Sequence, residues 1–179
     1  LRTFSTLRDE GKDYSPEMVA LSKEMQAFYY RIVRRSAMEP YVQSAFEAQK
    51  RLATPGSEEL LQAYKDAGEA YEKAGDLAKA LPYYQNAATL TRQRYGDKSK
   101  AYFDALYQQA AAEWRQGEID KAEADFTYLV EANDAKQVQT EQFRLQVLLD
   151  LCTFYTAQRK LDEAQKIADK AVAAMSTKT

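Results

Sequence analysis

The sequence predicts an all-α fold: a row of antiparallel helix pairs. Three observations carry this. Chain breakers are scarce, with six glycines and four prolines in 179 residues, while Ala, Glu, Lys, Gln and Leu, which favour helices, abound. Apolar residues return at three- and four-residue spacings, and nowhere is there the alternation of a strand. Most tellingly, the chain repeats itself every 42 residues. "GDLAKA" (75–80) becomes "GEIDKA" (117–122) and then "RKLDEA" (159–164), so that Ala80, Ala122 and Ala164 share one register. A fixed step shared by independent features marks a repeat architecture.

Each element follows from local chemistry. Residues 1–15 read as a loose leading segment. "PEMVALSKEMQAFYYRIVRR" (16–35) and "PYVQSAFEAQKRLA" (40–53) form an apolar-periodic helix pair. Their turn, "RRSAMEP", lacks the Gly-Asp pattern, and Met38 stands where Ala80 stands, so 16–56 is a degenerate repeat. Clear repeats cover 57–98, 99–140 and 141–179, the last including a C-terminal cap. Ser15, Ser57 and Ser99 keep the 42-residue step and suit helix starts, as does Thr140, because their hydroxyls can accept from unpaired first-turn amides. In 57–74, Leu60, Leu61, Tyr64, Ala67, Gly68 and Tyr71 make one apolar stripe. Gly75 ends that helix, since glycine accepts the left-handed backbone of a helix terminus. Asp76 caps the next, which runs to about Tyr95. Helices over about 99–116, 118–133, 138–158 and 160–176 follow by register, with "TPGS" (54–57) and "NDAKQVQT" (133–140) between repeats. Ala80 sits where helices approach closely, so a bulky residue there overpacks, at about 1–3 kcal/mol. The tyrosines keep the step at Tyr29, Tyr71 and Tyr155, and Glu113 breaks it.

At this point the sequence resembles the tetratricopeptide repeat family. "AYKDAGEAYEKAGDLAKALPYYQNAA" (63–88) carries its pattern at Tyr64, Ala67, Gly68, Tyr71, Gly75, Ala80, Tyr84 and Ala87. The 42-residue step is similar to the extended variety of kinesin light chains. Departures are Glu113 for Tyr, Arg159 for the turn Gly and Ala168 for a large residue. The resemblance implies a right-handed superhelical array, an α-solenoid in which first helices line a concave groove that binds a peptide or partner protein.

The composition excludes several functions. With 25 basic and 27 acidic side chains, net charge is −2, so no nucleic-acid partner is expected; such a binder needs a basic excess. No histidine occurs, which removes His triads and His ligands, and one cysteine cannot build a zinc site. No glycine-rich phosphate loop is present. The expectation is a non-enzyme with no metal and no cofactor. Cys152, between Leu151 and Phe154, reads as a structural thiol. No run is apolar enough for a membrane span. The compartment stays open: the lack of disulfides slightly favours the cytoplasm, and a start at Leu1 is compatible with a mature exported form.

Placed on the 42-residue step, the first helices give a row Tyr30, Glu72, Trp114, Thr156. Beside it run Arg31, Lys73, Arg115 and Ala157, and a turn earlier Lys23, Lys65, Tyr107 and Leu149. The expected partner-binding surface is Lys23, Tyr30, Arg31, Lys65, Lys73, Tyr107, Trp114 and Arg115. Cations with aromatic anchors suit a peptide bearing carboxylates. Two alternatives stand against it: basic residues on helices are often merely solvated, and Phe103, Tyr107, Ala110, Ala111 and Trp114 also form a core stripe that would bury Trp114. Further readings are a self-associating module forming a homo-oligomer, and a regulatory or receptor module of a larger enzyme. Residues 1–14 could also fold back into the groove as an extended segment.

Overall fold

The computed structural model describes residues 3–31, 35–134 and 140–176. Among these, every regular element is helical. The helices are α1 (Phe4–Asp9), α2 (Pro16–Arg31), α3 (Glu39–Leu52), α4 (Glu58–Ala74), α5 (Leu77–Tyr95), α6 (Lys100–Gln116), α7 (Ile119–Asp134), α8 (Glu141–Ala157) and α9 (Leu161–Ser176), with a short 3-10 helix at Arg35–Met38. Expected and observed helices agree to within a residue or two where both can be compared. The expected extensions over 32–34 and 138–139 lie outside the described residues.

The caps explain where the first helix of each pair begins. Ser15, Ser57, Ser99 and Thr140 each accept from the amide three residues on, at 3.2 Å in every case. Asp76 caps α5 through the Lys79 amide at 3.1 Å. The turns inside the pairs use left-handed residues. Gly75 and Gly117 have φ of 82° and 88°, and Arg159 holds the same position with φ 58°. A side chain there costs energy that glycine avoids.

The leading segment is not loose. Residues 4–9 form α1, whose Leu7 is 1% exposed. It does not enter the groove as an extended strand; Phe4 packs edge-on against Tyr41 of α3.

The chain divides into two compact units, one ending at Arg94 and the other starting at Tyr95. The first has a core of many alanines filled out by Met18, Val42, Phe46, Leu81 and two tyrosines. Ala63, Ala67, Ala70 and Ala80 are buried beside Leu61, Tyr71 and Tyr84. The closeness is measurable at Gly68, where a Cβ would lie 2.8 Å from the Tyr84 ring. Met38, in the register of Ala80, is buried as well. The second unit is built on Phe103, Leu106, Phe126, Leu129, Val147, Leu148, Leu151 and Phe154, with Ala122 and Ala164 at the close approaches. Cys152 lies half-buried against this core, its thiol 3.6 Å from the Ala164 carbonyl on the partner helix of its pair.

Candidate functional site

In the first unit, α2 and α4 are the first helices of successive pairs, and an open groove of about 370 Å³ lies along them. Its floor is Ala27, Met38 and Ala70; its sides are Gln26 and Tyr30 from α2 and Asp66 and Glu69 from α4. Lys23 and Lys73 stand at its margins. The 42-residue step underlies this gathering: Lys23 of α2 meets Asp66 of α4, one residue past its equivalent Lys65.

Three of the expected site residues, Lys23, Tyr30 and Lys73, therefore line one groove. Tyr30 is 45% exposed. Arg31 is exposed at the last residue of α2, and Lys65 is half-buried outside the groove lining. Tyr107, Trp114 and Arg115 belong to α6 of the second unit. There Arg115 is exposed, whereas Tyr107 and Trp114 are half-buried. Trp114 meets the edges of Phe126 and Phe154 with ring centroids 6.3 and 5.5 Å away. It is neither a free anchor nor a core side chain, but a ring seated on the core with part of its surface left open.

The cations are not a bare ladder. Lys23 donates to Asp66 at 2.5 Å, and Lys73 lies 3.5 Å from Glu69. Asp66 also accepts from Gln62 at 2.7 Å and from Gln49 at 3.3 Å. Burial pushes the Asp66 carboxyl up, but the bonds from Lys23 and Gln62, together with the Lys23 charge, outweigh it and hold it below the usual value. The second unit repeats this pattern two steps later. Tyr107 donates to Asp150 at 2.5 Å, and Gln146 donates to the same carboxylate at 3.0 Å. Burial and the Asp150 bond push the Tyr107 hydroxyl up to about 12. Each set ties one first helix to the next, so Lys23 and Tyr107 serve as rungs between repeats. Asp66 and Asp150, each with a Gln four residues before it, are the signal in the sequence that would have exposed these rungs.

The break at Glu113 also has a structural partner. Tyr29 stacks on Tyr41 and Tyr71 on Tyr83, both with centroids 5.5 Å apart. One step on, both tyrosines are replaced, by Glu113 and Asp125. Glu113 is 1% exposed. Gln109 donates to Glu113 at 3.0 Å and to Asp125 at 2.9 Å. Burial first, then the charge and hydrogen bond of Glu113, push the Asp125 carboxyl up to about 7. No group of three His, Cys, Asp or Glu side chains placed to hold a metal ion occurs among the described residues. No helix among them is long and apolar enough to cross a membrane.

Comparison with known proteins agrees with this architecture. Residues 59–127 match the tetratricopeptide repeat family. The curated proteins give no match. Among solved structures, nearly identical tetratricopeptide-like repeats of a kinesin light chain from Podosopora anserina superpose with a TM-score of 0.72 at 14% identity, over 100% of this chain and 79% of that one. BtubC from P. vanneervenii gives 0.71 at 13% identity, over 89% of this chain and 63% of its own. A Rap protein complexed with competence and sporulation factor gives 0.62 at 17%, over 89% of this chain and 43% of its own. At these identities the likeness is one of fold. Residues 59–127 thus match the tetratricopeptide repeat family by sequence, and the chain shares the fold of tetratricopeptide-like repeats over its described length.

Proposed function

We propose that this chain is a protein-interaction module, not an enzyme, and that it holds a peptide segment of a partner in the groove between α2 and α4. The carrying observation is the groove itself: an open volume of about 370 Å³ with an apolar floor and charged margins. A floor of Ala27, Met38 and Ala70 beside Tyr30 accepts an apolar side chain, and aromatic anchors dominate such binding. The margins select charge. Lys73 and Glu69 are both more than half exposed and 3.5 Å apart, a pairing worth little in water. A ligand carboxylate can therefore take the Lys73 ammonium from Glu69 at small cost. Lys23 is held more closely and serves the architecture first. Arg31 extends the cationic margin at the end of α2, and Trp114, Tyr107 and Arg115 give α6 an aromatic and cationic surface of its own. The Rap neighbour, solved with a bound factor, supports a binding role for this fold.

The test is capture of partners from the native source by the unaltered chain, beside a variant carrying Arg31→Glu, Lys73→Glu and Arg115→Glu. All three are exposed, so the variant is expected to keep its helix content. The expected result is a partner held by the natural chain and lost by the variant. A partner retained by both would remove the binding surface from these helices.

A further inference from the structure

A second cleft opens where α2 begins, α3 ends and α4 begins. Its volume is about 490 Å³, larger than that of the groove and within the range of ligand sites, about 300–1,000 Å³. The two share no lining residue. Gln49 and Gln62 of this cleft both donate to Asp66, which pairs with Lys23 of the groove. These four side chains join the margin of one site to that of the other.

The walls of the cleft are apolar and its rim is acidic. Pro16, Val19, Leu52 and Ala53 form the walls, and Leu52 is 54% exposed. Among the described residues that line it, the charged ones are Glu58 and Glu59. Arg51, next to Leu52 in the chain, is drawn off onto the Tyr14 ring, 3.9 Å from its centroid. Hydrogen bonds from the Ser57 hydroxyl and from its own amide hold the Glu59 carboxyl below the ordinary value, so it is ionised at neutral pH. Two helices start here and one ends here. A helix start carries about half a positive charge and a helix end about half a negative one, so their sum is about +0.5. Two carboxylates outweigh it.

The 42-residue step supplies a precedent within the first unit. Arg94 stands one step after Leu52. Its guanidinium donates to the Gly56 carbonyl at 2.6 Å and lies 4.0 Å from Glu58. The loop between α3 and α4 thus already attracts one cation of this chain. At the end of α3 the same register holds a leucine left in water.

We propose that this cleft is a docking site for a segment of a partner protein that carries lysine or arginine beside an aliphatic side chain. The aliphatic side chain packs on Pro16, Val19 and Leu52. The cation meets Glu59, with Glu58 shared between it and Arg94. The cleft therefore selects the opposite charge from the groove, where Lys73 favours a carboxylate, and it does not rest on the reading of the groove.

Fluorescence anisotropy of a dye-labelled peptide of alternating leucine and arginine tests this on the full chain. The peptide is expected to bind. Glu58→Gln with Glu59→Gln should weaken binding about three- to tenfold, and Leu52→Ser about tenfold. All three positions are exposed, so helix content should hold. Asp162→Asn with Glu163→Gln removes the same charge from the second unit and should leave binding unchanged. The variant with Arg31→Glu, Lys73→Glu and Arg115→Glu should keep it too, so the two sites fail independently. Lack of binding, or equal weakening by the two neutralised pairs, would overturn the proposal. So would a leucine–glutamate or glycine–arginine peptide that binds as tightly, or a Leu52→Ser variant that binds as well as the natural chain.

Discussion

Glu113 and Asp125 show how one substitution in a repeat recruits another. Two earlier pairs stack tyrosines at these registers; this pair buries carboxyls and must keep a proton to do so. The folded Asp125 titrates near 7 against an ordinary value of 3.8. Between those values the native state holds a proton that the unfolded chain has released. Its contribution to stability is therefore fullest below the ordinary carboxylate range, and is lost as pH rises through about 7. Denaturation at pH 5 and at pH 8 should show the protein more resistant at pH 5, and Asp125→Asn should shrink that difference. The break at Glu113 was legible in the sequence because its equivalents formed a series. Asp125 is not, since only the folded structure pairs Tyr41 and Tyr83 with that series.

Within the helix pairs, the agreement between sequence and structure rests on caps and turns. Ser57, Ser99 and Thr140 are legible as caps because a hydroxyl before an apolar stripe has one obvious use. Arg159 was seen as a departure, and the structure gives its cost: a non-glycine residue at φ 58°. Arg159→Gly is expected to stabilise the α8–α9 pair by about 0.5–1 kcal/mol, read as a higher midpoint in urea. The helix at Phe4–Asp9 escaped notice because six residues are too few for a periodic pattern. Only its register against the repeats reveals it. The ion pairs of the groove escaped for another reason: periodicity places a lysine on a face but does not say which carboxylate the next helix brings to it.

On the scale of the whole chain, the two units have different interiors, one mixing alanines with Met18, Val42, Phe46, Leu61 and two tyrosines, and one centred on phenylalanine. Repeat arrays need not unfold as one body, because stability is a sum over repeats and their neighbours. Trp114 is the only tryptophan and lies in the second unit, so its fluorescence follows that unit while circular dichroism follows all helices. The acidic-pH gain from Asp125 belongs to the second unit too. Lowering the pH from 8 to 5 should therefore raise the urea midpoint of Trp114 fluorescence more than that of circular dichroism. Equal shifts would mean that the units unfold together.

Cys152 carries a consequence of another kind. It is the only thiol in the chain, half-buried, and its sulfur faces a carbonyl on the opposing helix of the last pair. A reagent too large for that crevice can reach the sulfur only while α8 and α9 part. The speed at which such a reagent modifies the native protein is thus a clock for the opening of one helix pair, wound by a single residue and readable without any engineered label.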